Sequence, residues 1–185
     1  MKNFFAVTES LVRMTARHSE TKEEMVDNLL RRVVALSDAH TLAQDHHAEN
    51  DQEPVPLRTV IETVLRPYRS PVLTGPPILL AANATSNLTL VLHELATNAA
   101  KHGALSTSNG KVRIEWRADS SGMEMTWKES GGPTVNGPPT RVGFGTKLIR
   151  NTLASVNGAV EKQWARDGLH VRISLPRDVL IGYPG

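Results

Sequence analysis

Glu94, Asn98 and Lys101 stand at i, i+4 and i+7, so on a helix they share one face. A carboxylate, an amide and an amine on one face suit a magnesium-bound phosphate. The hard cation takes oxygen ligands such as an Asn carbonyl, the carboxylate can polarise an attacking group, and the amine offsets phosphate charge. The competing reading is a solvated polar face, which surface helices often carry. Glu129 poses a second choice. It extends the alternation of Met123, Met125 and Trp127 by two, which puts a carboxylate on the buried face of a strand unless the strand has already ended and the acid turns to water. A buried acid needs a donor, such as the exocyclic amine of a purine, and Gly131 and Gly132 just after it would let a planar base approach the backbone. Gly143-Phe144-Gly145-Thr146 then opens a helix, where backbone N–H groups and the positive helix end hold phosphate. Alone, two glycines equally make a flexible turn before a helix.

The elements that must position these groups follow from hydrophobic spacing. Leu88, Val91, Leu92, Leu95 and Ala99 form one apolar face and predict a helix over 85–101. Val112, Ile114 and Trp116, then Met123, Met125 and Trp127, alternate with polar residues around Ser120-Ser121-Gly122, which predicts a hairpin with one buried face. A helix over 146–156 and a second hairpin, 160–164 with 169–175 across Asp167-Gly168, complete the set. Trp127 and Trp164 both read as core. Upstream, a short helix over 57–65 and two short strands around Gly75-Pro76-Pro77 are expected. The segment 133–142, rich in Pro, Gly and Thr, reads as a lid.

The first third has a different pattern. Phe4, Val7, Leu11 and Met14 are spaced as a helix seam, and Thr21 with Glu24 forms a capping box that starts a second helix carrying Met25, Leu29, Val33 and Leu36. A helical hairpin of this size cannot bury both apolar stripes, so a four-helix bundle formed by dimerisation is expected. The expected fold is α+β: a hairpin over 1–48, a linker over 49–56, and over 57–185 an α/β sandwich with helices on one face of a mostly antiparallel sheet.

Composition narrows the function. The 185 residues hold 21 basic and 19 acidic side chains, a net charge of +2, and the basic residues are dispersed, so nucleic acid is not an expected partner. There is no cysteine, which excludes disulfides and thiolate metal sites, and no apolar stretch approaches the roughly 18 residues of a membrane span. A cytoplasmic setting without membrane contact is expected. His40, His46 and His47 lack a third ligand at fixed geometry and do not read as a metal site.

The order and spacing of these motifs resemble the HWE-type sensor histidine kinases. The run from His93-Glu94-Leu95-Ala96-Thr97-Asn98 through Lys101-His102-Gly103-Ala104-Leu105-Ser106 resembles their N box. Trp127-Lys128-Glu129-Ser130-Gly131-Gly132-Pro133 resembles their W-x-E box, and Gly143-Phe144-Gly145-Thr146-Lys147-Leu148-Ile149 their second glycine box. Arg32-Val33-Val34-Ala35-Leu36 with His40 resembles the second bundle helix, and the segment 168–176 the last strand. The resemblance implies a dimerisation and phosphotransfer hairpin before an ATP-binding domain of the Bergerat (GHKL) type, in a homodimer that passes the γ-phosphate of ATP to a histidine and on to the aspartate of a response-regulator receiver domain. It further implies that Asn98 holds Mg²⁺, that Glu94 orients or activates the acceptor imidazole, and that Lys101 approaches phosphate. Glu129 would bind adenine, while Gly131, Gly143, Phe144, Gly145, Thr146 and His102 would line the ATP pocket. His93, which names the class with Trp127 and Glu129, is either catalytic or a packed histidine.

One departure matters. In the family the acceptor histidine stands in a run like His-Arg-x-Lys-Asn, and here Met1 precedes Lys2 and Asn3. The expectation is an acceptor, and a sensor domain, upstream of this segment in a parent protein. His18 is an exposed helix-end histidine favoured by the helix dipole rather than a substitute acceptor. The alternative function is an acceptor-less ATP-binding dimer that scaffolds or dephosphorylates a response regulator.

Overall fold

The computed structural model describes residues 54–68, 71–135, 137–138 and 144–182, and, within the first 53, residues 12, 15–16, 21–23, 25–30, 33–34 and 37. Most of the first bundle helix, most of the linker, His18, His40, His46 and His47, much of the expected lid and Gly143 lie outside the described residues; of that first helix, residues 12 and 15–16 are described and are helical. Of the second bundle helix, residues 22–23, 25–30, 33–34 and 37 are helical. Thr21 O accepts the Met25 N–H at 3.1 Å, as at a helix start.

From residue 54 the chain folds as helices on one face of a sheet. β1 (Val55–Pro56) leads into α1 (Leu57–Leu65), followed by β2 (Val72–Thr74), β3 (Leu79–Leu80) and α2 (Ala82–His102). Then come β4 (Lys111–Asp119), β5 (Gly122–Ser130), α3 (Phe144–Ala154), β6 (Ala159–Ala165), β7 (Gly168–Pro176) and β8 (Leu180–Ile181). The main sheet runs β2-β4-β5-β7-β6; β2 is parallel to β4 and the other pairs are antiparallel. Both hairpins expected from alternation are present, as are the helix in the first third of the domain and the two short strands after it.

Two features were not expected. Val55 and Pro56, placed in the linker on sequence, pair with Leu80 and Leu79, and β8 pairs with β3 to complete a second, three-stranded sheet β1-β3-β8. Strands of two residues carry no alternation, so only their partners define them. Trp164, expected in the core, is only partly buried. It lies on β6, an edge strand with a neighbour on one side alone.

The core lies between the sheet and α2, on which α1 and α3 both pack. Leu88, Val91, Leu92, Leu95, Ala96 and Ala99 are the buried stripe of α2 and recur at helical spacing. Facing them, Ile114, Trp127 and Val171 form one cross-strand row and Trp116, Met125 and Ile173 the next. The Trp116 indole N–H donates to Pro76 O at 2.7 Å while the Arg58 guanidinium lies 5.3 Å from its ring centroid, which ties α1 and the β2–β3 turn to the sheet. The outer face is polar, and its ion pairs, such as Arg117 with Glu124 at 3.0 Å, are exposed and contribute little to stability.

Candidate functional site

Helix α2 carries the N-box residues and its end decides where Glu129 goes. The helix runs through Lys101, whose charge complements the carbonyl end of the dipole, and His102, and closes with the Gly103 N–H on Ala99 O at 3.0 Å. A short 3₁₀ turn, Ala104–Ser106, follows and lies against the end of β5. There the Ala104 N–H donates to Glu129 Oε2 at 2.8 Å, and the Trp127 indole N–H donates to Glu129 Oε1 at 3.1 Å. Glu129 is 2% exposed, which settles the choice left open by its position: the strand continues and the acid is buried. A Cβ at Gly103 would collide with its Oε2, and one at Gly132 would stand 2.7 Å from Ala104 Cα, so the close approach of turn and strand requires both glycines. Gly131 adopts a left-handed φ of 70°, and its carbonyl accepts the Thr107 hydroxyl at 2.8 Å.

Burial raises the Glu129 carboxyl above its ordinary value of 4.5, against the lowering effect of its two N–H donors and of His170. The folded chain therefore holds this proton more tightly than the unfolded one. The stability that Glu129 supplies is fully present below 4.5 and is withdrawn as pH rises from there through its folded value. Denaturant midpoints of the wild type and Glu129→Gln, measured from roughly pH 4 to pH 8, should show the wild-type advantage shrinking as pH rises. A difference that is flat or grows would mean that the hydrogen bonds outweigh desolvation.

The second group of residues lies between α2 and the start of α3. A Cβ at Gly145 would stand 2.7 Å from Glu94 Oε2 and 3.5 Å from Asn98 Nδ2, so the glycine brings the first turn of α3 against the two polar N-box side chains. Thr146 follows, and its Oγ1 accepts a 3.0 Å hydrogen bond from Lys162 Nζ on β6. Glu94, Asn98 and His93 are half-buried, whereas Lys101 and His102 are exposed. Phe144 begins α3. The N box thus meets the second glycine box through Glu94 and Asn98, and the W-x-E box through the turn after Gly103.

The amide of Asn98 and the carboxylate of Glu94 carry the oxygens a hard divalent cation takes, and both side chains pack near Gly145, Glu94 through Oε2 and Asn98 through Nδ2. This donor set fits Mg²⁺. Glu129 also fits a purine amine, because a carboxylate offers about four lone-pair sites and its two protein donors use two of them.

Sequence reading missed Lys162 and the Ala104 N–H. The first had a signal: along 160–164 the inward positions are Val160, Lys162 and Trp164, and a cation at inward parity in a strand asks for a partner. The second had none, since a backbone N–H has no letter in a sequence.

Residues 1–77 match the family profile described as HWE histidine kinase. The chain is 38% identical over 182 residues to blue-light-activated histidine kinase 1 of Erythrobacter litoralis (strain HTCC2594), a match that covers 94% of this chain and 50% of that protein. It is 33% identical over 185 residues to the blue-light-activated histidine kinase of Brucella anthropi, covering 95% of this chain and 37% of that one. The chain thus spans half or less of the length of these relatives. Among solved structures, the histidine kinase domain of the Erythrobacter litoralis EL346 blue-light activated histidine kinase superposes with a TM-score of 0.63 at 16% identity, over 94% of this chain and 96% of that one, a likeness of fold.

Proposed function

The chain belongs to the HWE histidine kinase family, and on that premise we propose that it is an ATP-binding kinase core that transfers the γ-phosphate of ATP to a histidine for relay to a response-regulator aspartate. The observation that carries the proposal is the packing of Gly145 on Glu94 and Asn98, which brings two motifs about 50 positions apart together beside a helix start.

Each residue has a distinct task. Asn98 supplies an oxygen to Mg²⁺, which when bound neutralises charge on the β- and γ-phosphates. Glu94 accepts the N–H proton of the attacking imidazole as its other nitrogen bonds to phosphorus and the bond from phosphorus to the ADP oxygen breaks. Glu129 accepts from the adenine amine, which reads the base rather than the phosphates. Gly131 and Gly145 keep side chains away from the nucleotide, Thr146 borders the phosphates at the start of α3, and Lys101 and His102 lie exposed at the end of α2. Phosphoryl transfer of this kind rests on alignment and electrostatics more than on covalent catalysis.

The region before residue 49 serves as the dimerisation hairpin. Val26, Leu30, Val33 and Val34 are 54%, 61%, 46% and 53% exposed, apolar surface that supports a second copy packing there as a four-helix bundle. The domain that begins at residue 57, preceded by β1, carries the nucleotide site. Among the described residues no helix is long and apolar enough to cross a membrane.

Titration calorimetry with ATP, in Mg²⁺ and in EDTA, tests the site. Saturable binding that strengthens with Mg²⁺ is expected. With a His-Arg-x run placed before Lys2, γ-labelled ATP should leave acid-labile, base-stable label on the protein. Absence of saturable Mg-ATP binding sinks the proposal.

A further inference from the structure

Lys162 occupies a position where a strand of this sheet should carry an apolar residue. On β6 it pairs with Val171, which pairs with Trp127, which pairs with Ile114, so the lysine ends a core-facing row whose other three members are fully buried. Its neighbours Glu161 and Gln163 point the opposite way and are exposed, as polar residues of a half-buried strand should be. Solubility therefore does not require a charge at 162. The stem lies under α3 and the ammonium comes out at that helix's first turn, where it donates to Thr146 Oγ1 at 3.0 Å.

The partners of this ammonium are few for its depth. It has three N–H donors. One is taken by a neutral hydroxyl; the other two have no hydrogen-bond partner among the described residues. Glu94 acts on it electrostatically from beyond ion-pair distance, and partial burial pulls the amine below its ordinary value of 10.5. A half-buried cation with spare donors, beside a helix start and the polar pair Glu94 and Asn98 packed on Gly145, is suited to an anion that brings several oxygens at once.

We propose that Lys162 is a phosphate-binding residue of the nucleotide site, its ammonium reaching the triphosphate across the first turn of α3 while its bond to Thr146 holds it in place. The inference rests on the ATP-binding reading above. It predicts a cation acting from the sheet side of that site, whereas Lys101 stands exposed on α2.

The test compares ligands with and without phosphates on the intact chain. Lys162→Met keeps the length and volume of the stem in its apolar row and removes the charge. Affinities for ATP, ADP and adenosine are measured by calorimetry in Mg²⁺ and in EDTA, with the thermal midpoint as a check on folding. Lys162→Met should weaken ATP by about tenfold or more, in EDTA as in Mg²⁺, with adenosine affinity unchanged. Lys162→Arg should recover most of the loss, because a guanidinium also donates to phosphate. Equal losses for adenosine and ATP, or full ATP affinity in Lys162→Met, would overturn the proposal: the lysine would then only anchor α3 or fill its row. A wild-type chain that binds neither ATP nor adenosine would overturn the ATP reading itself, and this inference with it.

Discussion

A chain carrying Asn98→Ala is expected to bind Mg-ATP on the order of 100-fold more weakly, or to lose turnover to the same degree, while its thermal midpoint stays close to wild type. The asymmetry follows from where Asn98 sits. It lies on the polar side of α2, half-buried, whereas the buried stripe of that helix consists of Leu88, Val91, Leu92, Leu95, Ala96 and Ala99. Alanine keeps the helix, since it has the best helix propensity. What goes is an amide packed near Gly145, and with it a hard-cation ligand that no neighbouring apolar group replaces. If Asn98 acts through the metal, ATP affinity in EDTA should change far less than affinity in Mg²⁺. Calorimetry in both media, with circular dichroism for the fold, decides it. Unchanged Mg-ATP affinity and turnover would remove Asn98 from the site.

Trp127→Ala should have the opposite profile, a large loss of stability wherever ligand is absent. Trp127 is 0% exposed and packs in the row with Ile114 and Val171. Truncating a buried Trp to Ala costs about 3–5 kcal/mol through lost transfer energy and the cavity left behind. The indole N–H is also one of the two donors to Glu129, so its removal leaves a buried carboxylate with Ala104 N–H alone, at a further cost of about 1–3 kcal/mol. A domain of this kind has about 5–15 kcal/mol in all, so most of its stability is at stake. Trp127→Phe separates the two effects, because it keeps most of the volume and loses only the N–H; its cost should be about 1–3 kcal/mol. Urea titrations of the three proteins give both numbers. A Trp127→Ala midpoint near that of the wild type would mean that the W of the W-x-E box is not a core residue.

Trp127 and Glu129 thus act as a unit, the first holding the second. Strand alternation read Trp127 as core and left Glu129 either buried beside it or turned to water, and the family resemblance gave adenine to Glu129. Neither source supplied the third member, the Ala104 N–H, which arrives from a turn 25 residues away in sequence.

What the sequence by itself determined was whatever repeats locally. The apolar stripe of α2 has a period near 3.6 residues and the hairpins a period of 2, so those elements and the inward side of each are legible without a structure. Motif order carried the family, and Glu94 and Asn98 are one turn apart on any helix. The tertiary structure alone decided the long-range matters: that Glu129 is buried and on which donors, that Gly145 meets Glu94 and Asn98, and that Lys162 reaches Thr146. It also decided that Val55–Pro56 and Leu180–Ile181 are strands and that Trp164 is half-exposed at an edge. The reason is common to all of them. Periodicity says which face of an element is apolar, whereas burial at an edge, a two-residue pairing or a backbone donor depends on which other element arrives there, and that choice is made by the packing of the whole chain.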